Sequence, residues 1–196
     1  VKANNGAAGV DRMFADAFPE FARQHWERIR SALYEGTYRP AAVVRVMIPQ
    51  ATGGERPLGI PTVLDRVIQQ AIAQVLGPLF EPTFSTHSYG FRPRRRARMA
   101  PAEMEQAHRD GLRFAVDCDL KSFFDTVHHG LLMDRLAQRV SDRRVLRLVG
   151  RYLHAGVILP DGRRESTPCG VPQGGPLSPL LAISSPPAGR YQVRIR

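Results

Sequence analysis

Ten consecutive residues, Gly170-Val171-Pro172-Gln173-Gly174-Gly175-Pro176-Leu177-Ser178-Pro179, contain three glycines and three prolines. Proline lacks a backbone N–H and fixes φ, so this stretch suits neither a helix interior nor a central strand. It must be a loop, stiffened by its prolines and able, at its glycines, to bring backbone close to a ligand. Gln173 offers an amide with both donors and acceptors from a fixed position in that loop. Ser178-Pro179 predicts a helix start at Leu180, and Pro186-Pro187 stops that helix soon afterwards.

Periodicity sorts the rest of the chain. Residues 1–11 are polar and rich in Gly and Asn, and read as loop. Phe21, Trp26, Ile29 and Leu33 mark an amphipathic helix that Gly36 ends. Residues 43–48 and 56–60 read as a β-hairpin whose flexible tip is Gly53-Gly54. Val63, Val67, Ile68, Ala71, Ile72, Val75 and Leu79 predict a helix over 62–76, capped by Thr62 and broken at Gly77-Pro78. Residues 82–101 read as irregular. Alternation of Phe114, Val116 and Cys118 with Ala115, Asp117 and Asp119 predicts a strand over 113–120, with the first three facing the core. Helices follow at 131–139 and, capped by Ser141, to 154; Asp161-Gly162 marks a hairpin turn.

Charge points to the class of partner. The 196 residues carry 28 Lys and Arg against 18 Asp and Glu, a net charge of +10, and only Lys2 and Lys121 are lysines. Residues 135–196 alone hold net +8, a one-sided excess that favours a polyanion. Two cysteines, Cys118 and Cys169, cannot build a disulfide scaffold or a four-cysteine zinc site. The most apolar long window, 63–80, is interrupted by Asp65, Arg66 and three glutamines and cannot span a bilayer. With no signal-peptide pattern, the expectation is a soluble cytoplasmic protein without a membrane partner.

Asp117 and Asp119 share one face of their strand, beside Phe123-Phe124 and Asp125. Carboxylates at a strand end can hold Mg²⁺, a hard ion that prefers oxygen ligands. A pair of such ions can stabilise both the attacking and the leaving oxygen of a phosphoryl transfer. Solvated surface acids are the plainer reading of either aspartate alone. His128 and His129 are adjacent and point in different directions, so a structural role is expected for both. Cys118 is expected in the core.

The order of residues adds to these readings. Residues 170–181, GVPQGGPLSPLL, resemble the loop and helix start preceding the catalytic turn in bacterial group II intron reverse transcriptases. Three more blocks resemble the same family in the same order: 56–71, RPLGIPTVLDRVIQQA; 88–93, SYGFRP; and 114–129, FAVDCDLKSFFDTVHH. The resemblance implies an α+β chain with part of a right-hand polymerase fold. Fingers would occupy 1–100, an incomplete palm 101–182 and a divergent tail 183–196. It implies RNA-templated DNA synthesis with Mg²⁺, so the partners would be RNA (intron or template), a DNA primer and deoxynucleoside triphosphates. By motif match Asp119 is the first metal-binding catalytic aspartate, with Asp117 an accessory neighbour and Leu120 supplying a backbone ligand to the metal and nucleotide. Phe124 matches the position whose ring fills the space of a ribose 2′-OH. Gln173 matches the glutamine that contacts the incoming nucleotide. Arg56 matches the fingers arginine that grips the triphosphate, a task suited to its planar fork of donors. The cluster Arg92, Arg94, Arg95, Arg96 and Arg98 is expected to bind nucleic acid along the same cleft.

Two departures qualify what the resemblance implies. Gln50 stands where the family's fingers carry a lysine, and the chain has no Asp-Asp pair, whereas the family supplies its remaining metal carboxylates from an aromatic-Ala-Asp-Asp turn. After Ala182 the sequence ISSPPAGRYQVRIR matches nothing expected. The chain is therefore expected to be a truncated or frame-shifted copy, inactive alone. The alternative is a non-catalytic RNA-binding remnant of an intron-encoded maturase, or a portion completed by a second chain.

Overall fold

A computed structural model describes residues 1, 6–50, 53–114, 116–120, 122–185 and 191–195, with the backbone alone at 117–119 and 191–195. Helix α1 (Phe18–Tyr34) leads to the hairpin β1 (Val43–Pro49) and β2 (Glu55–Ile60), then α2 (Val63–Phe80) and α3 (Ala100–Arg109). Next come β3 (Val116–Leu120), the single turn α4 (Phe123–Thr126), α5 (His129–Ala137) and α6 (Arg143–Leu153). A short hairpin, β4 (Val157–Ile158) and β5 (Arg164–Glu165), precedes α7 (Ser178–Ser184) and β6 (Tyr191–Ile195).

One sheet has the order β2-β1-β4-β5. Within it β1 and β2 are antiparallel, whereas β1 and β4 run parallel with Val43 opposite Val157. Gly53-Gly54 form the hairpin tip in the left-handed region, at φ 86° and 85°. The main core gathers Leu76 and Phe80 of α2, Leu132 and Leu136 of α5, Val149 and Leu153 of α6, and Val171, Leu177 and Leu181 around the Gly/Pro loop. Elements from both sequence regions thus share one sheet and one core.

A second tie is polar. Asp65, 1% exposed, accepts from Thr62 Oγ1 (2.7 Å), Tyr38 Oη (2.8 Å), the Ala41 N–H (3.1 Å) and Tyr152 Oη (3.1 Å). Burial, followed by the nearby Asp65 charge, pushes both phenols far above their ordinary range, so they stay donors. That network joins α2, α6 and the segment entering β1.

Four sequence expectations need correction. Helix α2 runs through Gly77 and Pro78 to Phe80 instead of breaking there, because Leu76 and Phe80, four residues apart, are both buried in the core. Their burial offsets the backbone bond that proline removes, a loss of about 3 kcal/mol or more in a helix interior. The cap of α6 is Asp142, whose carboxylate accepts from the Arg144 N–H at 2.8 Å, and not Ser141. Strand β3 spans Val116–Leu120 and not 113–120, and among the described residues it pairs antiparallel only with β6, in a two-stranded sheet. Val116 at the start of β3 is 61% exposed and Phe114, just before the strand, is 87% exposed, where core positions were expected. The Cys118 side chain lies outside the described residues.

Candidate nucleotide cleft

The Gly/Pro loop is held from two sides. On one, Gly59 of β2 donates its N–H to Gln173 O at 2.6 Å. On the other, Val171 N–H donates to Phe124 O (2.6 Å) and Gly170 N–H to Val127 O (2.8 Å). Both sides explain particular glycines. Gly174 sits at φ 120°, and a Cβ there would lie 2.4 Å from Gly59 O. Gly170 sits at φ 85°, with Phe124 O and Asp125 O both 3.0 Å from where its Cβ would be. Only glycine meets both the conformational and the spatial demand. Ser178 closes the loop on itself, its Oγ donating to Pro172 O at 2.5 Å.

This clamp shapes an open cleft. Arg56 and Gly59 of β2, Arg66 and Gln70 of α2, Phe91, Phe124 of α4, and Gln173 all line it. Arg56, Phe124 and Gln173, singled out from separate sequence blocks, therefore meet at one site. Arg56 Nε donates to Gln173 Oε1 at 2.8 Å across the cleft mouth. With its carbonyl oxygen taken, the Gln173 amide presents its NH₂ group as a donor. Among the described lining residues there are two arginines and no carboxylate, so the cleft is cationic. Phe91, 69% exposed, stands in the cleft on a left-handed backbone at φ 56°. Ser122 makes the turn from β3 into α4 in the same conformation, at φ 51°.

Other expected residues lie elsewhere. The side chains of Asp117 and Asp119 lie outside the described residues; their backbone is in β3, with Asp119 opposite Gln192 and Leu120 opposite Tyr191. Asp125 faces a separate cleft beside Cys169 and the β1–β2 hairpin. None of the five clustered arginines lines the Arg56 cleft. Arg92 departs furthest from expectation. Its side chain is 6% exposed, and its guanidinium pairs with Glu81 at 2.8 Å, donates to Ser85 O and Ser88 O, and lies over the Phe84 ring. Its charge is used inside the fold. Arg95 donates to Thr86 O at 2.8 Å and covers Tyr89, while Arg94, Arg96 and Arg98 are exposed.

Both histidines are structural, as expected. His128 caps α5, accepting from the Leu131 N–H at 3.4 Å. Buried His129 donates from Nε2 to Gly170 O at 2.7 Å, fastening the start of the loop to α5. Sequence reasoning missed Arg66, Gln70 and Phe91. The first two sit four apart on the polar stripe of α2, a spacing that places them on one face of the helix.

Comparison with known proteins bears on the family and the fold. The family model described as Reverse transcriptase (RNA-dependent DNA polymerase) matches residues 48–184. Protein YkfC of Escherichia coli (strain K12) is 40% identical over 158 residues, covering 79% of this chain and 41% of that protein. Group II intron-encoded protein LtrA of Lactococcus lactis subsp. cremoris is 34% identical over 180 residues, covering 91% of this chain and 30% of LtrA. The chain thus spans well under half the length of these relatives. Among solved structures, the partial Cas6-RT-Cas1--Cas2 complex matches with a TM-score of 0.54 at 26% identity, over 83% of this chain and 28% of that one. A family match over residues 48–184, with a relative 34% identical over 91% of the chain, means that the chain belongs to the reverse transcriptase family, in its group II intron-encoded branch.

Proposed function

We propose that the cleft between β2, α2 and the Gly/Pro loop is the nucleotide and template site of an RNA-directed DNA polymerase fragment. The observation that carries this reading is the Arg56–Gln173 contact, with Phe124 on the wall of the same cationic cleft. In this reading Arg56 grips the triphosphate of a deoxynucleoside triphosphate. Gln173 contacts its sugar or base through the free NH₂ group, and Phe124 fills the space of a ribose 2′-OH. RNA as intron or template and a DNA primer are the proposed partners, and a cytoplasmic location goes with them. Arg94, Arg96 and Arg98 remain candidates for contacts to phosphate outside the cleft. Fingers over 1–100 and a partial palm over 101–182 are the proposed division.

The family's chemistry runs on divalent metal, and Mg²⁺ is the proposed ion. The Asp119 carboxylate and the Leu120 carbonyl are hard oxygen donors of the kind Mg²⁺ takes, and would hold it where phosphoryl transfer needs charge neutralised. They supply only part of what two ions require, and no other group of three His, Cys, Asp or Glu among the described residues could hold a metal. The chain also lacks an Asp-Asp pair. The isolated chain should therefore bind primer–template without extending it. The non-catalytic RNA-binding reading is favoured by that same absence.

Primer extension on an RNA template with Mg²⁺, run beside anisotropy measurements of binding, tests both statements. Extension by the purified chain would overturn the inactivity. Arg56→Ala should weaken binding of a primer–template with deoxynucleoside triphosphate about 10- to 100-fold, the worth of a charged hydrogen bond of roughly 1.5–3 kcal/mol. An unchanged affinity would remove Arg56 from the site.

A further inference from the structure

Residues 6–9 cross the start of α2 as a strap, and Gly6 and Ala7 form part of the cleft wall. Two contacts hold it down. Buried Gly9 lies so close to the backbone before α2 that a Cβ would fall 2.7 Å from Thr62 N and Cα and 2.9 Å from Pro61 C. Arg66 NH2 donates to Ala7 O at 2.9 Å, and NH1 sits 2.5 Å from where a Gly6 Cβ would be. The strap then turns back, with Arg12 N–H donating to Gly9 O at 3.0 Å.

Arg66 is an unusual choice for such a bolt. It is 8% exposed and its buried Nε–H has no partner among the described residues. Its acceptor at the strap is a neutral carbonyl, and no carboxylate pairs with it among the described residues. Keeping a cation there costs desolvation that a plain structural contact would not need. The cost is understandable if the position of the strap matters to what lies in the cleft.

We infer that Arg66 is a positioning residue. Its guanidinium bolts residues 6–9 in place as one wall of the cleft and thereby fixes where a phosphate-bearing strand lies against Arg56 and Gln173. This rests on the nucleic-acid reading of the cleft. Arg66 acts through the strap and does not itself contact phosphate, which separates its behaviour from that of Arg56.

The test uses the full chain and a fluorescein-labelled RNA template annealed to a DNA primer with a single-stranded overhang. Arg66→Met, which keeps apolar bulk and removes every donor, should lower affinity about tenfold. It should also raise hydrogen exchange at the amides of residues 7–9. Gly9→Ala lifts the strap without changing any charge and should give the same loss, while Arg66→Lys, with an N–H still available to Ala7 O, should recover most of it. In all three variants the slope of log affinity against log salt should match the unsubstituted chain. Losing a direct phosphate contact instead flattens that slope by about 0.7–0.9. A flattened slope in Arg66→Met, or Gly9→Ala binding at full strength, overturns the inference. If Arg56→Ala loses binding while both strap variants keep it, the inference falls and the cleft reading stands. An unsubstituted chain that binds no primer–template overturns both.

Discussion

At the residue scale the site depends on positions where one atom too many cannot be accommodated. Gly174→Ala should destabilise the chain by about 1–3 kcal/mol from its left-handed backbone alone. The contact with Gly59 O adds to that. Urea denaturation should show the loss, and nucleotide binding should fall with it, because the same Cβ pushes the loop off β2. His129 makes a pH-dependent prediction. Burial, before the smaller effects of the neighbouring His154 and His128 charges, holds its imidazole below the ordinary value of 6.5, against the opposing bond to Gly170 O. The unfolded chain therefore takes up the proton first. Stability from this group is present above about pH 6.5 and is lost as pH falls below it. The thermal midpoint should drop on that acid limb, and His129→Gln, which can still donate to Gly170 O, should flatten it.

At the scale of elements, α2 carries a correctable weakness. Gly77 lies inside the helix, and a Cβ there meets nothing within 4 Å. Gly77→Ala should raise unfolding stability by about 0.8–1 kcal/mol, read from the urea midpoint at unchanged slope. The same helix shows what sequence could and could not give. Its apolar period and Thr62 cap were readable, because both are local. Its last turn was not, because it exists through the burial of Phe80 in the core cluster it shares with α5, α6 and α7, which no local signal announces. Helix α3 was overlooked although Pro101 in its first turn was a usable start signal. At the cleft, the motifs single out Arg56, Phe124 and Gln173, which line it together. Arg92 was misjudged because composition shows a cluster of cations without showing which one Glu81 has already taken. Strand β6 and the bounds of β3 depend on pairing between distant segments, which alternation alone cannot specify.

At the scale of the whole molecule, charge and exposed apolar surface pull in opposite directions. A net charge of +10 keeps copies apart in low salt, and no helix among the described residues is long and apolar enough to cross a membrane. Val116 at the start of β3 and Phe114 just before it nevertheless stand exposed beside a two-stranded sheet, a surface prone to self-association. Sedimentation velocity should show oligomers growing as salt screens the repulsion, and Phe114→Ser with Val116→Thr should shift their onset to higher protein concentration. The parallel pairing of Val43 with Val157 reaches further than the sheet it completes. A ribosome has to deliver β4 before β1 gains its second neighbour, so the early hairpin waits with one edge open until residues 157–158 have emerged. Contacts this distant in sequence slow folding, because a long loop must close before any pairing rewards it. Translation speed across the intervening segment therefore sets how long that edge is available to other chains.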